Sequence, residues 1–211
     1  MPGRRSRRAK KVPAGLREQL AQEAARIMIE QGIEDFGLAK RKAAERLGAT
    51  TAGMLPSNAQ VEASVIERQR IFAPAAHDSR LAELRTLAAE IMGELEPFRP
   101  RLVGPVLSGT ATPSAAVELH VFADAPETVA AVLERVAQRS LRNSGRRYRF
   151  AKGDSVEIPG FAFTRDGVNV EVYVFSERRA HHAPLSPVDQ RPMRRASRGA
   201  VLELLGAAAG R

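Results

Sequence analysis

The 211-residue sequence contains no cysteine and no long apolar run. Without cysteine there is no disulfide framework, no thiol catalysis and no cysteine-based zinc site, a composition that fits a cytoplasmic protein. No apolar stretch approaches the roughly 18 to 20 residues that a membrane-spanning helix requires, and no apolar signal core follows the N-terminus. We therefore expect a cytoplasmic protein without a membrane partner.

The net charge is +9, and the first twelve residues supply six cations without any acid. Such a run cannot bury apolar area and repels itself, so we expect residues 1–12 to be a disordered basic arm. The arm could bind RNA, DNA or acidic lipid by neutralising phosphate, or it could be a solvated tail that only aids solubility. Its cations are Arg4, Arg5, Arg7, Arg8, Lys10 and Lys11.

Helical periodicity follows the arm and predicts a helical region over residues 13–76. Apolar residues recur at helical spacing from Ala14 to Gln31 and from Phe36 to Leu47, and Gly32 and Gly48 are natural stops. The pair, QEAARIMIEQGIEDFGLAKRKAAERLG, is similar to the opening of tetracycline-repressor-like DNA-binding domains.

A helix that reads DNA would have to follow this pair and enter the major groove. Gly53 and Pro56 allow only about one turn of helix there, so we predict a plain helical hairpin instead. Ser57 or Asn58 is expected to cap a third helix that ends near Phe72.

Residues 77–211 alternate between helical and strand patterns and predict an α/β domain. The pattern breaks at Pro74, before this domain begins. The first predicted elements are a helix from Asp78 or Ser79 to Pro97, a buried strand from Arg101 to Ser108, an alternating strand from Ala116 to Phe122, and a helix capped by Asp124 and ending near Arg139. A strand edge within Leu141 to Lys152 comes next, followed by strands from Phe161 to Arg165 and from Val168 to Phe175 that an Asp166-Gly167 turn joins. The last elements are a loop from Ser176 to Arg195 and a final helix capped by Ser197.

The stretch from Gly104 to Val121, GPVLSGTATPSAAVELHV, resembles the active-site region of the nucleotidyltransferase (polymerase beta-like) superfamily. In that superfamily a Gly-Ser pair ends one strand, a small-residue loop follows, and the next strand carries two acids separated by one apolar residue. Gly104 and Pro105 fall on the Gly-Ser pair, Ala116 on the first acid and Glu118 on the second. The resemblance implies an α+β fold, with an N-terminal helical region followed by a nucleotidyltransferase-like mixed β-sheet flanked by helices.

The same resemblance implies a metal site. It places the third carboxylate on a later central strand, and Glu171 in VNVEVYV stands at that position. Glu118 and Glu171 are therefore candidate catalytic residues and candidate ligands for weakly bound Mg²⁺. Asp124 or Asp154 could supply a further ligand in an active enzyme. The alternative is a pair of half-exposed strand acids facing nearby arginines.

The loop of this region is the candidate phosphate-binding segment. The resemblance implies a role for Gly104, Ser108, Gly109 and Thr110, which offer hydroxyls and backbone donors to an anion. Pro105 replaces a serine of the family pattern and has no N–H to donate. A tight turn rich in small residues is the equal alternative.

Cationic and histidine side chains near the candidate site each have two interpretations. A run of arginines within residues 141–152 could contact a nucleotide or nucleic acid, or could form a solvated sheet edge that hinders aggregation. His120 shares a strand face with Glu118 and could bind a metal or carry a proton, although a hydrogen-bonded, partly buried histidine is the commoner case. The arginines are Arg142, Arg146, Arg147 and Arg149.

The segment from Ser186 to Ser197, SPVDQRPMRRAS, matches the end of a group of bacterial proteins of this length, SPVDGRPMRRA, and the whole chain resembles that group. Some of its members are named UDP-N-acetylmuramate–alanine ligase. A ligase of that kind needs a P-loop that cradles ATP and about three domains. The sequence has no GxxxxGK[ST] motif and is too short, so we do not predict ligase activity.

Three functional hypotheses follow from the sequence. The chain is a degenerate nucleotidyltransferase-like protein that binds a nucleotide or nucleic acid with little or no catalysis, or it is an active metal-dependent nucleotidyltransferase. In the third, the N-terminal helices and basic arm form an interaction module for nucleic acid or protein. Fold alone does not decide among them, because one scaffold supports many activities.

Overall fold

The computed structural model describes residues 14–49, 55–72, 74–137, 140–151 and 153–209. Contacts divide the chain into two compact units, Met1–Val65 and Ile66–Arg211. The predicted basic arm lies outside the described residues, as does Gly53, on which the prediction about a DNA-reading helix partly depends.

The first unit is built from helices α1 (Ala14–Gln31) and α2 (Phe36–Arg46) and from the beginning of α3 (Asn58–Phe72). These bounds confirm the three helices predicted from periodicity. Their buried faces form one apolar cluster that includes Leu20 and Ile27 of α1.

The predicted cap of α3 is confirmed at Ser57. The Ser57 hydroxyl oxygen accepts from the Gln60 N–H at 3.2 Å, and the Gln60 Oε1 accepts from the Ser57 N–H at 2.9 Å. This reciprocal arrangement satisfies backbone donors that a helix start leaves unpaired.

The second unit contains a five-stranded mixed sheet, which confirms the predicted α+β class. The strand order is β1-β2-β5-β4-β3, with β2 and β5 parallel and the other neighbours antiparallel. The strands are β1 (Arg101–Val103), β2 (Val117–Phe122), β3 (Arg142–Arg149), β4 (Ser155–Arg165) and β5 (Val168–Phe175).

Helices pack on one face of this sheet. Val117, Leu119 and Val121 of β2 point into the main apolar core, as the predicted alternation requires. The opposite face carries Glu118 and His120 among aromatic side chains. The helices of this unit, besides the end of α3, are α4 (Pro74–Glu94), α5 (Gly104–Ser108), α6 (Pro126–Val136) and α7 (Arg198–Ala209).

The hairpin between β4 and β5 is confirmed at its predicted turn. Asp166 and Gly167 both have positive φ, 51° and 76°, as a type I′ turn demands. The predicted cap of the last helix is also confirmed, because the Ser197 hydroxyl oxygen accepts from the Ala200 N–H at 3.3 Å.

The strand predicted from Arg101 to Ser108 is wrong beyond Val103. Gly104 has φ of 70°, which redirects the chain, and Pro105 then occupies the first turn of α5. Proline is favoured there because its fixed φ suits a helix and a first-turn N–H has no partner within the helix. Apolar content alone could not separate this helical turn from a buried strand.

Two predicted helix starts are also wrong. Helix α4 begins at Pro74 rather than at Asp78 or Ser79, because proline at the first turn starts a helix instead of breaking it. Asp124 does not cap α6, whose N-cap is Ala125. The Asp124 carboxylate instead accepts from the Glu177 N–H at 3.1 Å.

The segment from Ser176 to Arg195, predicted as a loop, crosses together with Ala196 between the two edges of the sheet. At one edge the Leu185 N–H donates to the Arg149 carbonyl oxygen of β3 at 2.7 Å. At the other, Ala196 exchanges two backbone hydrogen bonds with Leu102 of β1, at 2.9 and 3.0 Å. Its Met193 packs against the aromatic cluster, so the segment covers part of that face.

Gly160 of β4 offers a test of this packing. A Cβ atom at Gly160 would lie 2.7 Å from the Val172 carbonyl oxygen and 2.8 Å from the Tyr173 ring. We expect Gly160→Ala to lower the free energy of unfolding by about 1–3 kcal/mol, because overpacking forces backbone shifts. Urea unfolding measures the change. Gly206→Ala in α7, where no atom lies within 4 Å, is the control and should be neutral or slightly stabilising. Equal stability of both variants would contradict the packing described for β4.

Candidate functional site

Glu118 and Glu171 lie side by side. They are register partners on the parallel neighbours β2 and β5, and they share the sheet face that carries the aromatic cluster. A Cβ atom at Gly104 would lie 3.2 Å from the Glu118 carboxyl carbon, so Gly104 lies next to this carboxylate and a side chain there would crowd it. The structure therefore brings together three residues that the sequence singled out.

Arg146 of β3 bridges the two glutamates. Its Nη1 donates to Glu118 Oε2 at 2.7 Å, and its Nη2 donates to Glu171 Oε2 at 2.7 Å. The exposed fractions of the side chains are 38% for Arg146, 10% for Glu118 and 28% for Glu171. The guanidinium thus neutralises two poorly solvated carboxylates from the side that faces solvent.

The reach of Arg146 depends on the strands between it and Glu118. β4 and β5 separate β3 from β2, and β4 presents the small residues Gly160 and Ala162 on the way. The Tyr173 ring lies close above Gly160, and the Arg146 guanidinium lies 4.7 Å from the centre of that ring. This stacking holds the long side chain over the sheet.

Tyr173 completes the glutamate cluster. Its hydroxyl donates to Glu171 Oε2 at 2.6 Å. Burial raises the pKa of Tyr173, and the hydrogen bond to Glu171 raises it further. Burial lowers the pKa of Arg146, but its ion pair with Glu118, the neighbouring tyrosines and Glu171 outweigh burial and raise it overall. Both groups therefore keep their protons.

His120 belongs to a second, adjoining set of contacts. It is fully buried, and its Nε2 lies 3.2 Å from the Tyr148 hydroxyl oxygen. Arg195 Nε donates to His120 Nδ1 at 3.1 Å, which assigns the ring proton to Nε2. Burial, Arg195 and Arg146 hold the pKa of His120 well below its usual range. His120 is thus a neutral, hydrogen-bonded core residue.

A third carboxylate does not join the pair. Ala116 offers only a methyl group at the first acid position. Asp124 lies beyond the far end of β2 from Glu118, and Asp154 lies in the connection before β4. Within the part of the chain that the structure describes, no group of three His, Asp or Glu side chains could hold a metal ion.

The candidate phosphate loop uses its backbone donors internally. The N–H groups of Gly109 and Thr110 both donate to the Pro105 carbonyl oxygen, at 2.9 and 3.0 Å. The Ser108 and Thr110 hydroxyl oxygens lie 2.9 Å apart. Gly104 adjoins the glutamates, whereas Ser108 stands at the other end of α5. Phosphate binding by this loop stays a prediction.

The four candidate arginines of β3 divide between the two sheet faces. Arg142 and Arg146 share the face of Glu171, whereas Arg147 and Arg149 lie on the opposite face. The side chain of Arg147 is 71% exposed and lies 3.7 Å from the Glu157 carboxylate. A ligand at the glutamate cluster therefore meets only the first two.

An open groove of about 560 Å³ lies apart from this cluster, between α6 and the strands β3 and β4. Its lining includes Glu127 and Glu134 of α6 and Phe161 of β4. None of the candidate site residues lines this groove.

The sequence interpretation did not single out Tyr148, Tyr173 or Arg195. The first two could have been found by extending alternation, since Tyr148 follows Arg146 by two residues and Tyr173 follows Glu171 by two. The sequence around Arg195 does not indicate this contact, because Arg195 lies in a loop 75 residues after His120.

The bridge predicts unequal effects of neighbouring arginines on stability. We expect Arg146→Ala to lower the free energy of unfolding by about 1–3 kcal/mol, because it leaves two adjacent carboxylates without their shared cation; partial exposure moderates the loss. Arg147→Ala, the control on the same strand, should change it by under about 0.5 kcal/mol. Urea unfolding at neutral pH compares the two. Similar losses in both variants would mean that the bridge contributes nothing specific.

Because His120 is buried and neutral, we expect the stability of the protein to depend on pH. The pKa of His120 is depressed in the folded state, so below about 6.5 the unfolded chain binds a proton that the folded protein does not. Stability is therefore lost as the pH falls from about 6.5, by up to about 1.4 kcal/mol per pH unit from this residue. In His120→Gln that part of the slope should disappear. Urea unfolding between pH 5 and 8 measures both slopes, and identical slopes would refute the buried neutral imidazole.

No protein-family model matches this chain, and no curated protein matches it. Among the described residues, no helix is both long and apolar enough to cross a membrane. The arrangement of Glu118, Arg146 and Glu171 is therefore the basis on which a function is inferred.

Proposed function

We propose that the unit Ile66–Arg211 is a degenerate nucleotidyltransferase-like domain that binds a nucleotide or nucleic acid with little or no nucleotidyl transfer. The observation that carries this proposal is the Arg146 guanidinium, which donates at 2.7 Å to each of two carboxylates at positions that suggest metal ligands.

The order of elements supports the family likeness. A strand, a turn at Gly104, a second strand with Glu118, the helix α6 and a parallel neighbouring strand with Glu171 follow one another. In this order the two glutamates face one site, as an ion shared between carboxylates requires. A sheet in which they pointed to opposite faces would not have supported it.

The chemistry of the site argues against efficient transfer. Nucleotidyl transfer uses divalent ions to align the attacking hydroxyl and to neutralise the triphosphate. A guanidinium supplies positive charge but cannot coordinate a nucleophile as a metal ion does. Ala116 also removes one carboxylate from the family pattern. Both changes lower affinity for a catalytic metal.

The same guanidinium supports binding of an anion. Arg146 uses one N–H of Nη1 and one of Nη2 for the glutamates and is 38% exposed, so other N–H groups can face a phosphate. Arg142 lies on the same face at the sheet edge. Planar guanidinium groups recognise phosphate well because their donors form a rigid fork.

Metal-dependent transfer is the second candidate, and one observation favours it. Both carboxylates already lie within 2.7 Å of a single cationic group, so a divalent ion that displaced Arg146 would meet two ligands. Magnesium in proteins is often held by one or two carboxylates together with water and substrate phosphate. An active enzyme would then require Arg146 to swing away.

Thermal unfolding with ligands tests both functions. The full chain is heated with each nucleoside triphosphate or a short single-stranded oligonucleotide, with and without Mg²⁺ or Mn²⁺. We expect a ligand in about hundredfold excess over its Kd to raise Tm by roughly 5 °C or more, with little further rise from metal. In Arg146→Gln the nucleotide shift should fall and a Mn²⁺-dependent shift should appear, because the carboxylates lose their cation. Arg147→Gln is the matched control.

Two results would change this conclusion. Absence of a shift with every nucleotide and oligonucleotide would refute the binding function. Metal-dependent nucleotide incorporation that Glu118→Gln abolishes would instead establish the second candidate.

A further inference from the structure

A second group of cations lies on the same sheet face, beside His120 and towards the β1 edge of the sheet. Arg101 of β1 is the register partner of His120, and Arg195 donates to His120 Nδ1 at 3.1 Å. The imidazole that both arginines adjoin is buried and neutral. These two arginines take no part in the Glu118–Arg146–Glu171 bridge.

The charges of these arginines are not balanced by carboxylates. Nearby Arg99 forms an ion pair with Glu177, but within the described residues neither Arg101 nor Arg195 is paired with an acid. Arg195 Nη1 donates to the Ala180 carbonyl oxygen at 3.2 Å, whereas its Nη2 is buried without a hydrogen-bond partner. Among the described residues, the Arg101 guanidinium makes one long hydrogen bond, in which Nη1 donates to the Pro100 carbonyl oxygen at 3.4 Å.

The surroundings compensate the Arg195 charge only in part. Its guanidinium lies 4.9 Å from the centre of the Phe175 ring and 5.2 Å from that of Phe122, contacts that favour a cation but supply no counter-charge. Burial lowers the pKa of Arg195, Tyr148 opposes this and Arg101 adds to it, and together they lower the pKa to about 10. A buried cation without a counter-charge is unfavourable unless an anion or hydrogen bonds compensate it.

We propose that Arg101 and Arg195 form a binding site for a phosphate group, with His120 and the Phe122 and Phe175 rings as its floor. Free phosphate and phosphate monoesters carry roughly −1.5 to −2 charge at neutral pH, and each phosphodiester of a polynucleotide carries about −1. Their acceptor oxygens match two guanidinium forks. The ligand phosphate is free inorganic phosphate or part of a nucleotide or polynucleotide. This site uses residues other than those of the proposed function and stands separately from it.

The fold holds Arg195 in place for such a role. Ala196, the next residue, exchanges two backbone hydrogen bonds with Leu102, the residue after Arg101. The backbones that carry the two arginines are thus bonded directly to each other. Fixing both donors before binding reduces the entropy lost when a ligand arrives. The segment SPVDQRPMRRAS therefore has a physical role as the carrier of Arg195.

Its neighbour Arg194 provides a matched control. Arg194 is exposed and bears the same charge one position earlier in the same segment. Replacing it removes equal net charge and leaves Arg101 and Arg195 untouched. If substitution of Arg101 or Arg195 weakens binding and substitution of Arg194 does not, a general electrostatic effect is excluded.

The test is titration of the full chain with inorganic phosphate at constant ionic strength, followed by calorimetry. We expect Arg101→Gln to raise the Kd for phosphate roughly tenfold or more, since each charge-assisted hydrogen bond contributes substantially. Arg195→Lys keeps the charge but loses the fork and should also weaken binding. Arg194→Gln should change Kd by less than about twofold, because rim charges contribute little. Arg101→Gln keeps the test decisive if substitution of the more buried Arg195 prevents folding.

Parallel titrations with a nucleoside triphosphate and a short oligonucleotide identify the source of the phosphate. If Arg101→Gln weakens the binding of inorganic phosphate but not of the larger ligands, the site binds free phosphate. If the substitution also weakens the binding of the triphosphate or the oligonucleotide, the site is a phosphate subsite for that ligand. Equal Kd values in Arg101→Gln and Arg194→Gln would overturn the inference, as would absence of phosphate binding by the unmodified protein. If inorganic phosphate did not bind the unmodified protein, while nucleotides bound the unmodified protein and Arg101→Gln equally well, this inference would fail and the proposed function would remain.

Discussion

The ion bridge from Arg146 to Glu118 and Glu171 is the constraint around which the polar face of the sheet is arranged. Register partners on parallel neighbouring strands lie about 4.8 Å apart, so two carboxylates there repel each other unless a cation lies between them. The cation comes from β3, at the sheet edge, across two intervening strands. It reaches them because Gly160 leaves room for the Tyr173 ring on which the guanidinium stacks.

The bridge also adds to the effect that keeps a neighbouring histidine neutral. Burial holds the pKa of His120 low, Arg195 and then Arg146 lower it further, and the neutral imidazole accepts a hydrogen bond from Arg195. Tyr148 contacts the other ring nitrogen and joins the aromatic cluster beneath the C-terminal segment. The acidic and basic parts of the face are thus linked through one buried histidine. A change of charge at the glutamate bridge or at Arg195 therefore alters the pKa of His120.

Much of the fold could be predicted because its signals are local. Helix α1 follows from periodicity, the β4–β5 hairpin from Asp166-Gly167, and the faces of β2 and β5 from alternation. The register that pairs Glu118 with Glu171 is non-local, and sequence could only propose it by resemblance. The partner of the two acids was one of four arginines in a run, and only the sheet order shows that Arg146 is the one that reaches them.

The distribution of charge limits which ligands suit this face. At the glutamates, negative charge is already offset by a cation at hydrogen-bond distance, so an added metal ion must first displace Arg146. At Arg101 and Arg195, positive charge is offset by no carboxylate among the described residues, so an added anion displaces nothing. Binding that requires no rupture of a buried ion pair is favoured over binding that does. The face is accordingly better suited to an anion than to a catalytic metal.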